Sequence, residues 1–450
     1  MEDSYFGTEK INKIIFKIAP PVMLAQLIQA LYNIIDSLFV GRFSDSGLTA
    51  LSIVYPIQLL MIALAVGTGV GINTAMSYSL GIKDEKSANK TAGVGTPLAI
   101  IMWIIFAISA YFLMPYYARM STSSEAVIAD IIKYGRITCV FSFGLFLESI
   151  WTKVLQARGN MKLPMYAQIC GAIINIVLDP LLIFGMLGLP KMGIGGAAIA
   201  TVVGQIAAAI IVMFKGFRIS PSLKCYPKEI KKIYTLGIPN ILMQSAYTFY
   251  IFGLNLILAE FSDQAVTALG VYYKWQTFFF IPLGALQTCI VPIIGYNYSS
   301  GNLKRCKQTL NISLAYGFLL MLIGLLCFEI IPGPMIKAFS KDPEVVRIGT
   351  IGFRYIGVSF IPLVTSLIYP VFFQAVGKAF KSSMLTFLRT LVLFVPLGYA
   401  FSRLGLDYFW LTYPVSEVIT SIVGFLFYIS FFKHEATRMQ SMTIENNINM

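Results

Sequence analysis

Apolar residues run along this chain in long blocks broken by short polar punctuation, with neither the two-residue alternation of strands nor the narrow stripe of soluble helices. Twelve blocks are each long enough to cross a bilayer, at roughly 14–40, 51–79, 91–115, 131–157, 162–187, 193–215, 233–260, 266–298, 309–333, 347–376, 381–403 and 406–432. A spanning helix needs about 20 mostly apolar residues. The pattern is least sharp near 91–130, where Pro97, Pro115 and the polar run Ser121–Ser124 blur the span edges and leave the count open by one. It therefore predicts an all-α integral membrane protein.

The blocks repeat. Pro21, Leu24, Gln26, Tyr32, Leu38, Asp45, Ala50 and Tyr55 recur as Pro239, Leu242, Gln244, Tyr250, Leu256, Asp263, Ala268 and Tyr273, an offset of 218 positions. The same offset pairs Arg136 with Arg354, and Gln156, Ala157 and Gly159 with Gln374, Ala375 and Gly377. Each repeat holds six spans, an even number, so both enter the membrane in one orientation. The expectation is two six-helix lobes, residues 1–218 and 233–450, joined by a cytoplasmic linker at 219–232 and related by a pseudo-twofold axis along the membrane normal. Duplicated halves with a cleft between them are a common plan of secondary transporters; a bundle without a cleft is the alternative.

Composition agrees, with 57% apolar and only 12% charged residues. The net charge of +13 would fit a nucleic-acid partner, but its placement argues otherwise. Lys10, Lys13, Lys17, Lys83, Lys86, Lys90, Lys153, Arg158, Lys162, Lys224, Lys228, Lys304, Arg305, Lys378, Lys381, Lys433 and Arg438 all fall on alternate connections or at the chain ends. The opposite connections carry few basic residues. This is the positive-inside signature, which puts both termini in the cytoplasm and makes the protein a multi-pass component of the cytoplasmic (inner) membrane. The first apolar run is too long for a cleaved signal and is expected to stay as a membrane helix. The six cysteines show no metal or disulfide spacing and His434 is the lone histidine, so neither a zinc site nor a triad is expected. No nucleic acid and no obligate protein partner is indicated; the bilayer and a small organic molecule are the expected partners.

Acids inside a span cost several kcal/mol unless paired, protonated or facing water. Asp36 lies 19 residues after Lys17 and Asp179 lies 17 after Lys162, on helices that both run outward. At 1.5 Å per residue both carboxylates sit roughly 25–28 Å above the basic anchors. Asn175 shares a helix face with Asp179, while Tyr134 and Thr201 begin inward-running helices. These oxygen-bearing side chains suit a proton or a hard monovalent cation. Pro180 frees a backbone carbonyl just after Asp179, and Pro20 with Pro21 do so below Asp36. Helix-to-helix hydrogen bonding is the alternative role for each polar residue. In the second repeat Leu254 and Leu397 stand at the positions of Asp36 and Asp179. Its acid is Glu417; Glu148 is a further mid-span acid in the first. Either could meet a cationic substrate or pair with a basic neighbour such as Arg389. Tyr247, Tyr250 and Phe279 are candidate substrate contacts because aromatic faces attract organic cations.

The segments QALYNIIDSLFVG around Asp36, IIKYGR around Tyr134, INIVLDPLLIFG around Asp179, GIGGAAIAT ending at Thr201 and FLRTLV around Arg389 resemble the multidrug and toxic compound extrusion (MATE) family, more narrowly its DinF-like branch. The resemblance covers essentially the whole chain. It implies a transporter rather than an enzyme, with Asp36, Asn175, Asp179 and Thr201 as Na⁺ ligands or proton carriers and Tyr134 nearby. It implies no cofactor beyond the coupling ion, H⁺ or Na⁺, and export of amphipathic, cationic organic compounds by alternating access. The seventh-helix acid of the NorM-like branch is missing, since Thr248 and Tyr250 occupy that region. Two rival readings are a lipid-linked saccharide flippase of the same superfamily and an intramembrane aspartyl protease using Asp36 and Asp179. The flippase would favour a strongly basic cavity, and the protease YD and GxGD motifs that this chain lacks.

Overall fold

The computed structural model describes residues 5–448, with side chains as far as 435; the side chain of Arg438, counted above among the basic residues, lies outside that range. A short helix α1 (Tyr5–Thr8) precedes α2 (Ile11–Phe43), α3 (Asp45–Gly81), α4 (Glu85–Ser121), α5 (Glu125–Val140), α6 (Phe143–Ala157), α7 (Lys162–Phe184) and α8 (Ile194–Gly216). The second half holds α9 (Tyr226–Ala259), α10 (Asp263–Ser299), α11 (Leu303–Ile330), α12 (Pro332–Lys337), α13 (Pro343–Ala375), α14 (Ala379–Phe387), α15 (Val395–Ser402), α16 (Leu406–Phe409) and α17 (Thr412–Ile448). No strand occurs among the described residues. With no water in a bilayer core, helices keep every backbone hydrogen bond internal, which is why apolar blocks of this length fold this way. Eleven helical stretches are long and apolar enough to span, and the bent pair α5–α6 makes a twelfth.

Two details differ from the sequence expectation. The blurred region at 91–130 is orderly: α4 runs unbroken through Pro97 and Pro115, and α5 starts after a short turn. The irregularity lies further on, where the span expected at 131–157 is broken at Phe141–Ser142 and bent by 42°. Ser142 turns its hydroxyl onto the Cys139 carbonyl at 2.7 Å, a local bond that competes with the helix ladder.

By packing, the helices form two compact units. The first comprises Met1–Thr248, Phe280–Ser313 and Ala375–Ala379; the second comprises Phe249–Phe279, Leu314–Gln374 and Phe380–Met450. This division follows contacts and passes through α9 and α10, whereas the one at 219–232 follows the sequence repeat. The reason α9 begins in the first unit is visible in the glycines of α3 that it packs against. A Cβ on Gly67 would meet the Ile241 backbone at 2.9 Å, and one on Gly71 the Ile233 carbonyl at 2.2 Å. Small residues let helices approach this closely in lipid. At the lysine-bearing end of this unit, Phe6 is buried, its carbonyl accepting from Asn297 Nδ2 (3.1 Å) and Arg305 Nη2 (2.8 Å). In the second unit Tyr272, Phe279, Phe328, Phe353 and Phe360 make a continuous aromatic core.

Candidate cation site in the first unit

Four helices of the first unit bring the sequence-predicted residues together. Asp36 comes from α2, Asn175 and Asp179 from α7, Thr201 from α8 and Tyr134 from α5, and all five are buried. The crossing of α7 and α8 sets the geometry. A Cβ on Gly204 would lie 2.6 Å from the Gly171 carbonyl oxygen, and one on Gly171 2.7 Å from the Gly204 carbonyl oxygen. One turn beyond this contact, Asn175 Nδ2 reaches Thr201 Oγ1 at 3.4 Å and Asp179 Oδ1 at 3.4 Å. At the other end of the seam, Gly196 lies against the Leu182 backbone. The two close approaches bracket Asn175 and Thr201 and hold them side by side.

The Asp36 and Asp179 carboxyls face each other within hydrogen-bonding reach. Two carboxylates at that separation cannot both carry free charge in a dry interior; a proton or a cation must stand between them. Oδ1 of Asp36, Oδ2 of Asp179 and Oδ1 of Asn175 are buried and receive no hydrogen bond. Buried acceptors without donors are costly, and a cation bound among them would remove that cost. Among the described residues no group of three His, Cys, Asp or Glu could hold a transition metal. A site with amide and hydroxyl oxygens beside a carboxylate pair instead matches a hard ion or a proton.

Two neighbours escaped the sequence reading. Tyr32 precedes Asp36 by four residues on α2, a spacing that would have found it, and lies within electrostatic reach of both acids. Gln58 of α3 donates to the Tyr134 hydroxyl at 3.3 Å and fixes its orientation. Nothing in the sequence announces that second pair.

The remaining candidates separate. Glu417 is buried and chelated by Arg389, with Nη2 to Oε1 at 2.6 Å and Nε to Oε1 at 3.0 Å, and it also accepts from the Ser366 hydroxyl. Arg389 sits in a π-helical stretch, Leu388–Phe394, between α14 and α15. Tyr250 stacks on Phe394 at 4.8 Å, and Phe279 belongs to the aromatic core. Tyr247 is half-buried on α9. At the second unit's counterpart of the acidic site, buried Leu254 packs on Gly398, beside Leu397, so apolar contact stands where the first unit has carboxylates. Glu148 lies on α6 and lines a cavity with Asn175 and Thr201.

A duplicated, all-helical bundle with an acidic site buried among its spans is the architecture of a secondary membrane transporter. The profile of the MatE family matches residues 21–181 and again 239–400, starts that differ by the same 218 positions as the repeat. The chain belongs to the MatE family of multi-pass membrane transporters and is not an enzyme. It is 24% identical to the multidrug export protein MepA of Staphylococcus aureus, over 86% of this chain and 87% of that protein. It is 22% identical to an FAD transporter of Shewanella oneidensis, over 92% and 93%. In fold it matches a multidrug resistance MATE family transporter solved in an outward-facing conformation, with TM-score 0.90, 22% identity, and 97% and 99% coverage. A MOP superfamily transporter from Pyrococcus furiosus matches with TM-score 0.88, 21% identity, and 98% and 99% coverage.

Proposed function

We propose that the chain is an H⁺- or Na⁺-coupled antiporter of the cytoplasmic membrane, termini inside, that exports amphipathic, cationic organic compounds. Its coupling site is formed by Asp36, Asp179, Asn175 and Thr201, with Tyr134 alongside. The observation that carries this reading is the facing carboxyl pair of Asp36 and Asp179, each with an oxygen that the protein leaves without a donor. Such a pair is stable only while a proton or cation screens it, so its occupancy changes the energetics of the surrounding helices. A driving ion entering down its gradient and leaving again would convert that difference into transport. The multidrug export named for the MepA relatives supports export of drug-like compounds.

The test is efflux from proteoliposomes under an imposed H⁺ or Na⁺ gradient, with a panel of cationic dyes and FAD, the last because a relative carries that name. Asp179→Asn keeps the shape of the side chain and removes its charge. It is expected to abolish gradient-driven export while the protein stays folded. Full coupling in that variant would refute the assignment.

A further inference from the structure

The cavity beside the acidic pair continues past it. A cavity of about 90 Å³ is bounded by Asn175, Gln205, Gln29, Tyr32, Gln168 and Glu148. Along α7 it extends from Asn175 back to Gln168, seven residues or roughly 10 Å. Glu148 lies ten residues before Arg158 and Asp179 seventeen after Lys162. Glu148 is thus nearer the lysine-bearing end by roughly 10 Å. Gly171 and Gly204, at the close α7–α8 crossing, also line this space.

The polar part of the lining is one carboxylate with amide and hydroxyl groups. Glu148 Oε1 takes a hydrogen bond from Thr152 Oγ1 at 2.7 Å. Oε1 of Gln205, like Oδ1 of Asn175, is buried with no donor. No lysine or arginine is among the residues that bound the cavity. The groups facing Glu148 are Thr152 and Lys153 on its own helix, Gln168 on α7 and Tyr32 on α2. Tyr32 lies within electrostatic reach of Glu148 and of both Asp36 and Asp179, and it lines the same cavity as Glu148. Lys153 directs its ammonium to Gln156 Oε1 at 2.9 Å, yet its charge still acts on Glu148.

We propose that Glu148 is a second cation station, through which the coupling H⁺ or Na⁺ passes between the Asp36–Asp179 pair and the lysine-bearing end. The proposal rests on the coupling role given above to that pair. Its logic is a descent in affinity. Two facing carboxylates with no cationic neighbour hold a cation strongly, whereas one carboxylate with a lysine close by holds it weakly and lets it go. On that measure a water molecule needs about 10–15 Å³, so the cavity has room for an ion with a few waters.

The full-length transporter in proteoliposomes tests this, with H⁺ and ²²Na⁺ themselves as probes and Glu148→Gln, Glu148→Asp and Asp179→Asn in parallel. Glu148→Gln is expected to slow gradient-driven export and cation uptake at least tenfold. Substrate-for-substrate exchange, which needs no net cation movement, is expected to keep its wild-type rate, and Glu148→Asp to restore most of the export. Unchanged export and unchanged cation dependence in Glu148→Gln, with coupling lost in Asp179→Asn, would overturn the second station and leave the coupling pair standing. Equal loss of exchange and export in Glu148→Gln would overturn it too, as the mark of a substrate contact or a packing role. Full coupling in Asp179→Asn would overturn the pair and the station together.

Discussion

Replacing Gly204 with alanine tests how the acidic site is built. The new Cβ would stand 2.6 Å from the Gly171 carbonyl oxygen, whereas ordinary contact begins at 3.4 Å. The atom it meets is backbone of the facing helix, so no side chain can swing aside. The α7–α8 crossing must open locally by roughly 0.8 Å or absorb overpacking of about 1–3 kcal/mol. The same methyl would come within 3.3 Å of the Asn175 Cβ, so the strain falls on the site itself. The Asn175–Thr201 contact is already long at 3.4 Å. Opening by that amount takes it beyond about 4 Å, where no hydrogen bond survives.

The expected result is a loss of cation affinity of about tenfold, the equivalent of one interaction of ~1.4 kcal/mol. The assay is the H⁺ or Na⁺ concentration giving half-maximal export in proteoliposomes, with thermal melting in detergent recorded beside it. Gly270→Ala is the control, since a Cβ there meets nothing within 4 Å. Unchanged cation dependence and unchanged melting in Gly204→Ala would show that the glycine crossing does not position Asn175 and Thr201.

Arg389→Ala strands Glu417 as a buried unpaired charge and is expected to cost about 3–5 kcal/mol, read as lost melting temperature and yield. Arg389→Leu combined with Glu417→Leu should recover most of that stability. Recovery would mark the pair as structural, and failure would indicate a role that needs its charge. Phe6→Ala removes a buried ring that packs edge-on to Tyr296 and against Gly159, a loss of about 3–5 kcal/mol for a well-packed site. Protease cleavage at Lys10 and Lys13 should rise in this variant, and unchanged protection would mean that Phe6 does not hold the amino-terminal turn.

How much of this could be read from residues depends on how local each cause is. The spans were legible because the bilayer demands one long apolar block per crossing, and the repeat because a fixed register survives in polar landmarks such as Gln26 and Gln244. Asp36 and Asp179 were legible because charge in a span is rare and costly. The break at Phe141–Ser142 was not, since no proline stands there and a serine hydroxyl is common in unbroken helices. Pro97 and Pro115 gave the opposite error, marking a disturbance where α4 continues. The crossing that sets the acidic site has Gly171 meeting Gly204 from another helix, a contact no single segment records. Gln58 was hidden for the same reason: its partner, Tyr134, lies 76 residues away.

The asymmetry between the repeats locates the working charge. In the second unit the buried span acid Glu417 has its own arginine and serine, so the protein already meets the cost of burying it and no ligand is needed. Where that unit matches Asp36 and Asp179 it holds Leu254 and Leu397, and Leu254 fills the groove at Gly398. In the first unit the glycine crossing is kept, but the side chains beside it are acids and amides whose oxygens lack donors. A buried carboxylate paired within the fold is indifferent to the medium, whereas one left open changes energy each time an ion arrives or leaves. Only the first unit has that dependence at its acidic pair. On the coupling role proposed for that pair, a driving ion would act through α2, α7 and α8, and substitutions at Glu417 should shift stability while leaving the ion requirement of export intact.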